Sequence, residues 1–174
     1  MKNTKKITLC GIFVALSVAI MLVSYFPYLT YSVPAVAGLC IMVIVIEYNW
    51  KWAFLGYLAS AFLVFLFAET EAKLLYVFIL GYYPIIKSLV EKLNKPIIEW
   101  LIKLIIFNIG LVLIYGLFSK IFGIQKEDFD FFGKFGIYLA LVIVNIVFVI
   151  YDIAVSRMAL FYIYVVRPKI KKFL

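Results

Sequence analysis

Histidine is absent from this chain of 174 residues, and there are only two cysteines. Histidine is the commonest metal ligand and the side chain that titrates near neutral pH, so its absence argues against a histidine proton relay or metal site. Cys10 and Cys40 lie in or beside apolar runs, where neither a disulfide framework nor a zinc site is expected. We therefore predict that the protein uses no metal and no cofactor.

Charge is also scarce: charged residues make up 15% of the chain, compared with about 25% in typical soluble domains. Hydrophobic residues account for 67%, and the mean hydropathy is +1.14. The apolar runs have the length that a hydrocarbon core about 30 Å thick requires. We therefore predict an all-α polytopic membrane protein with one membrane domain, residues 1–174. Its six transmembrane helices are predicted at 7–26, 34–49, 51–68, 73–91, 96–118 and 134–156, the last with a C-terminal extension.

Basic residues indicate how these helices are oriented. The first run follows a basic MKNTKK start but lacks a small-residue cleavage site, so we expect it to be a retained helix rather than a signal peptide. With the N-terminus in the cytoplasm, thirteen of the 17 Lys and Arg lie at cytoplasmic helix ends and four lie outside. The positive-inside rule therefore predicts that both termini are cytoplasmic. The net charge of +8 then reflects topology, and no nucleic-acid partner is expected.

Several charged residues fall inside predicted helices on the cytoplasmic side. An unpaired carboxylate there would be costly, so Asp152 is predicted to pair with a basic side chain, either Lys87 or Arg157. Glu99 and Lys103 have the i, i+4 spacing of an ion pair on one helix face. Such pairs are structural, or they form a coupling or gating contact with a cytoplasmic partner. Both interpretations stay open, whereas a proton relay is disfavoured because no second acid or histidine continues the path across the membrane.

The outer half of the membrane domain has almost no charge, and its polar groups are amides and phenols. Asn108 and Asn145 lie near the middle of adjacent spans, where they either bond each other or face an outward-facing pocket. The candidate substrate-binding residues are therefore Tyr28, Tyr31, Tyr82, Tyr83, Asn108 and Asn145. Pro84 follows two of these tyrosines and is expected to kink the fourth helix unless neighbouring groups satisfy the carbonyl that it frees.

Small residues recur at every fourth position of the first helix, at Gly11, Ala15 and Ala19. Residues four apart lie on one helix face, so these three predict a shallow groove in the inner half of the span. Helices that pack closely in membranes use such grooves. The partner is either another helix of this chain or a helix of another protein.

A chain of this length with six helices, both ends inside and a small-x-x-x-small first helix resembles the substrate-binding S component of energy-coupling factor (ECF) transporters. The matching motif is Ala15-Leu-Ser-Val-Ala19, extended by Gly11. In that family the motif packs against coupling helices of a shared transmembrane subunit. The resemblance implies a bacterial multi-pass membrane protein that binds a vitamin-like micronutrient near its outer face. A transmembrane coupling subunit and two cytoplasmic ATPases would be its partners. Metal-transporting S components rely on N-terminal histidines, so nickel and cobalt are not expected here.

Two other function classes compete with this interpretation. An MreD-like cell-envelope scaffold has similar size and helix count and also works through partner helices. A small membrane enzyme needs paired acids, a nucleophile with its base, or metal ligands, and we find none at useful spacing. We therefore expect a protein that is not itself an enzyme.

Overall fold

Apolar helices make up the computed structural model, which describes residues 2–26, 28–122 and 136–170. Five helical segments are long and apolar enough to span a membrane, and a sixth apolar helix is shorter. The structure thus confirms an all-α polytopic membrane protein. The helices are α1 Lys2–Leu22, α2 Val33–Glu47, α3 Trp50–Phe67, α4 Thr70–Leu75, α5 Tyr83–Val90, α6 Pro96–Phe122, α7 Gly136–Phe161 and α8 Arg167–Ile170.

Two of the six segments are composite. In the fourth segment a π-helical turn, Tyr76–Leu80, joins α4 to α5, and a 3₁₀ turn, Glu91–Leu93, follows. A second π-helical turn, Tyr162–Val166, joins α7 to α8. The predicted start of the last helix at 134 lies outside the described residues. The cytoplasmic location of the termini stays a prediction.

The short helix α2 is the centre of the bundle. Its 15 residues rise only about 22 Å, which is less than a hydrocarbon core of about 30 Å. Ala37, Ile41 and Ile44 are fully buried. Because other helices surround α2, it does not need to match the thickness of the lipid.

The apolar core has two parts that share α2 and the fourth segment. One part packs α1 and α3 around them, and residues such as Met21, Ile41 and Val64 contribute to it. The other packs α6 and α7, with Phe107 and Phe148 stacked at 4.1 Å between ring centroids. The fourth segment therefore contacts helices on both sides, and several buried hydrogen bonds among the described residues involve it.

Candidate functional site

Four charged side chains meet where the fourth segment, α6 and α7 converge. Lys87 and Lys103 both lie 2.8 Å from Glu91 Oε1, measured from Nζ. Lys87 also pairs with Asp152 Oδ1, and Lys103 Nζ lies 3.2 Å from the same oxygen. The side chains of Lys87, Lys103 and Asp152 are 4–6% exposed, whereas that of Glu91 is 44% exposed. We call these four residues the charge cluster.

Local sequence explains how three segments bring these groups together. Lys87 and Glu91 are one helical turn apart, so they lie on one face of the fourth segment. Asn94 then adopts a left-handed conformation, φ +52°, that asparagine tolerates better than most residues. The tight reversal leads directly into α6 at Pro96, and Lys103 follows two turns later. The hairpin therefore places Lys103 against Glu91.

The charges in the cluster balance. Two ammonium groups face two carboxylates, and the Tyr83 hydroxyl adds a hydrogen bond to Asp152 Oδ1. Each buried ion has several oppositely charged or hydrogen-bonding neighbours, which is the condition for keeping charge away from water. Removing one member would leave a buried charge without its counterion. The cluster thus couples α7 to the rest of the bundle electrostatically.

One expectation about ion pairs is confirmed and one needs correction. Of the two candidate partners of Asp152, the structure brings Lys87 to it, whereas Arg157 is exposed. Five residues along a helix correspond to a rotation of about 140°, so Arg157 faces away from Asp152. The Glu99–Lys103 pair is not formed, because Glu99 Oε1 accepts the Lys95 backbone N–H at 3.0 Å. Glu99 thus serves the first turn of α6, and Lys103 faces the bundle.

Glu91 and Lys103 were not identified from the sequence as members of the cluster. The i, i+4 relation of Lys87 and Glu91 was the available signal for one of them. For Lys103 the signal was its position between apolar residues, since such a lysine needs an acidic neighbour. That neighbour comes from another helix, and sequence spacing does not show it.

Tyrosine hydroxyls satisfy the backbone next to Pro84. Proline has no N–H to donate to the Leu80 carbonyl, so that carbonyl is free. Tyr151 donates to it at 3.4 Å, and Tyr57 and Tyr82 donate to the carbonyls of Val77 and Phe78, both at 2.5 Å. The fourth segment thus has a π-helical turn before Pro84, and a neighbouring side chain satisfies the carbonyl that Pro84 frees.

A second buried polar group connects α1, α3 and the fourth segment. The Tyr76 hydroxyl lies 2.9 Å from Ser17 Oγ and 2.8 Å from Ser60 Oγ. Ser17 also faces the Ala37 carbonyl, and Ser60 faces that of Tyr57. Three hydroxyl protons serve four contacts, so one contact has no proton at any instant. This network holds α1 by its buried face.

The two membrane asparagines bond each other. Asn108 Nδ2 donates to Asn145 Oδ1 at 3.0 Å, and Asn145 Nδ2 donates to Asn108 Oδ1 at 3.2 Å. Each amide also donates to the carbonyl four residues earlier on its own helix, at 2.8 Å. All four N–H groups are thus used, so of the two open alternatives the structure forms the mutual pair.

The pair should stabilise the contact between α6 and α7. We expect the Asn108→Leu, Asn145→Leu and double variants to give a coupling energy of about 0.6–2 kcal/mol, the range found for hydrogen bonds between membrane helices. Thermal unfolding of the purified variants in one detergent measures it. Additive effects of the two single substitutions would show that the pair contributes no mutual stabilisation.

The hydroxyls of the candidate substrate-binding tyrosines do not bond this asparagine pair. Tyr28 is 97% exposed in the loop after α1, with φ +71°. Tyr31 donates to Glu71 Oε2 at 2.7 Å, and this hydrogen bond raises the pKa of its hydroxyl. Tyr82 bonds its own helix, and Tyr83 bonds Asp152 in the charge cluster. The structure therefore does not join the polar groups of the six candidate residues in one hydrogen-bonded site, because most of these groups bond other partners within the protein.

The small residues of α1 face away from the chain's own bundle. Gly11, Ala15 and Ala19 are all exposed, and a Cβ added at Gly11 would meet no atom within 4 Å. The opposite face of α1 carries Ser17 and Met21, both fully buried. The predicted groove is thus present, and no other helix of the described chain fills it.

A smaller ion pair lies at the end of α2. Arg167 Nε is 2.9 Å from Glu47 Oε1, and the Tyr162 hydroxyl donates to the same oxygen at 3.2 Å. It ties the second π-helical turn and α8 to α2. Together with the charge cluster and the asparagine pair, it gives the last segment polar contacts at three levels.

The fold and these contacts define an all-α polytopic membrane protein with a buried charge cluster. No family model, curated protein or solved structure matches the chain. Within the described residues no group of three or more Cys, Asp or Glu side chains is placed to hold a metal ion.

Proposed function

We propose that the chain is the substrate-binding S component of an ECF-type importer in a bacterial cell membrane. The observation that carries the proposal is the outward-facing stripe of Gly11, Ala15 and Ala19 on α1. A stripe of small residues lets another backbone approach closely, and such contacts drive helix association in membranes. The opposite face of α1 is already packed against α2 and α3, so the bare face is available to a second protein.

In this proposal the chain binds and docks but does not catalyse. A transmembrane coupling subunit packs along the bare face of α1, and two cytoplasmic ATPases supply the energy. A vitamin-like or other small micronutrient is captured at the outer face. The exposed Tyr28 and the Tyr31–Glu71 pair support this location, because they offer an aromatic surface and a polar group beside the outer ends of α1 and α4.

The docking face can be tested with Ala15→Trp and Ala19→Trp. Each indole would occupy the groove and keep a partner backbone at a distance, so we expect partner recovery in a native membrane pull-down to fall at least about tenfold. Mass spectrometry of the recovered proteins and small molecules provides the measurement. The folded chain should tolerate both changes, since the two side chains are exposed.

A matched control is Leu55→Trp, which adds an indole to the exposed face of α3. It should leave partner recovery unchanged. Recovery of a coupling subunit and ATPases with the native chain would support the proposal. Unchanged recovery and uptake with both alanine variants would refute docking through this face.

A second candidate is an MreD-like cell-envelope scaffold. The observation that favours it is the mutual bonding of Asn108 and Asn145, together with the bond of Tyr83 to Asp152, which removes these groups from an outer ligand pocket. A scaffold would dock through the same α1 face but would carry no small molecule. A shape or division defect on depletion, with no copurified metabolite, would select it.

A further inference from the structure

We infer that the charge cluster is a binding site for the phosphate of an anionic phospholipid, and that the Glu91 carboxylate is its built-in competitor. The site lies where the fourth segment, α6 and α7 meet. It is independent of the docking face on α1 and holds under either function proposed above.

Two buried ammonium groups form the recognition element. Lys87 and Lys103 each place Nζ 2.8 Å from the same oxygen of Glu91, so the two donors converge on one point. Asp152 alone cannot neutralise both lysines, and without Glu91 the group carries one net positive charge. A lipid phosphate carries the single negative charge that restores the balance. Basic pockets between helices at the cytoplasmic side of a membrane bind lipid headgroups by this chemistry.

The Glu91 carboxylate is suited to move away from the ammonium groups of Lys87 and Lys103. Its side chain is 44% exposed, whereas the lysines and Asp152 are nearly buried. It begins a short 3₁₀ turn at the end of the fourth segment rather than the middle of a helix. An incoming phosphate would take the position of its carboxylate, and Glu91 would turn toward water.

The surroundings favour a lipid as the source of that phosphate. Lys92 and Lys95 are exposed on the adjoining turn and attract anionic headgroups. The Trp100 ring lies 5.4 Å from Lys103 Nζ, and tryptophan prefers the interface between headgroups and hydrocarbon.

An open groove between α6 and α7 provides room for an acyl chain. Its volume is about 440 Å³, and its lining is aliphatic except for one amide. Leu104 directly follows Lys103, and Val149 lies one turn before Asp152, so the groove lies within one helical turn of both cluster residues along their helices. The groove residues are Leu104, Leu141, Val142, Asn145, Ile146 and Val149. Along α7 the groove extends about 12 Å away from the cluster, toward the start of the helix.

The test measures unfolding temperature and lipid retention of the purified full chain. Phosphatidylglycerol, phosphatidylcholine with the same acyl chains, or inorganic phosphate is added to one detergent. We expect phosphatidylglycerol to raise the unfolding temperature by several degrees and to be retained in native mass spectra. Phosphatidylcholine and inorganic phosphate should act much more weakly. Equal shifts with both lipids, or an inorganic phosphate shift as large as that of phosphatidylglycerol, would overturn the proposal.

Substitutions separate the phosphate from the acyl chain. Glu91→Gln removes the competitor, so half of the maximal shift should need about tenfold less phosphatidylglycerol, and Lys103→Gln should abolish the response. Ile146→Trp fills the groove without changing charge and should weaken phosphatidylglycerol binding, which keeps the test informative if Lys103→Gln does not fold. Glu99→Gln and Ile153→Trp are the controls, since both lie outside the site. An unchanged phosphatidylglycerol response in Glu91→Gln, or an equal loss with Ile146→Trp and Ile153→Trp, would refute it.

Discussion

Replacing Asp152 with asparagine should lower the free energy of unfolding by about 3–5 kcal/mol, which is the range for breaking a buried ion pair by removing one partner. Asp152 contacts both Lys87 and Lys103, and Tyr83 donates to it as well. Without the carboxylate, two ammonium groups in a largely apolar setting share the single charge of Glu91. Thermal or denaturant unfolding of the purified protein in one detergent measures the loss.

The double variant Asp152→Asn with Lys87→Met is the matched control. It removes one charge of each sign, so the remaining Lys103–Glu91 pair is again neutral, and we expect it to recover much of the stability lost in Asp152→Asn. Removing the exposed basic residue Arg157 should change stability little, since exposed charges contribute at most about 1 kcal/mol. A single Asp152 variant as stable as the native chain would show that the cluster does not hold α7.

The membrane-spanning segments were predictable because a long hydrophobic run that crosses a bilayer forms a helix, which satisfies its own backbone hydrogen bonds. Helix ends were also readable where a proline marks them, since α6 begins at Pro96 and α2 has Pro34 in its first turn. The boundary at Pro84 was harder. Proline indicated a freed carbonyl, but the π-helical turn depends on hydroxyls of Tyr57, Tyr82 and Tyr151 that come from three places in the chain.

The candidate site was only partly predictable, because ion pairs between helices depend on rotation about each helix axis. Asp152 needed a basic partner, and Lys87 was one of two candidates. The i, i+4 rule predicted a Glu99–Lys103 pair, yet Glu99 bonds the backbone of Lys95. Local spacing describes what one helix can form by itself, whereas the charge cluster depends on three segments meeting.

Tyr82 and Tyr83 show a related physical limit, and their part in substrate binding stays a prediction. Depth in the membrane suggested that Tyr82 and Tyr83 face an outer ligand. Both hydroxyls bond acceptors inside the protein: the Phe78 carbonyl in the π-helical turn and the Asp152 carboxylate. Because the hydrocarbon core contains no water, a carbonyl or carboxylate oxygen there has to accept hydrogen bonds from groups of the protein itself. Tyr82 and Tyr83 therefore bond irregular backbone and a charged group inside the protein, although their sequence positions suggested contact with a ligand.

Gly38→Val should lower the free energy of unfolding by about 3 kcal/mol, the upper part of the usual range for overpacking a core. A Cβ at residue 38 would lie 2.6 Å from the Leu80 carbonyl oxygen and 3.2 Å from the Tyr151 hydroxyl. The first of these atoms is backbone, so relief requires moving α2 away from the π-helical turn. The Tyr151 hydroxyl, which donates to the same carbonyl, is the second atom that the added side chain would crowd.

Gly11→Val is the matched control, because the same residue change on α1 meets no atom within 4 Å. Both variants introduce the same β-branched side chain into a helix, so the difference between their unfolding temperatures isolates the close approach of α2 to the fourth segment. Gly38→Ala should lie between them, since it adds the clashing Cβ without the branch. Equal stability of Gly38→Val and Gly11→Val would mean that α2 does not pack tightly against Leu80. The central position of α2 would then depend on its apolar side chains alone.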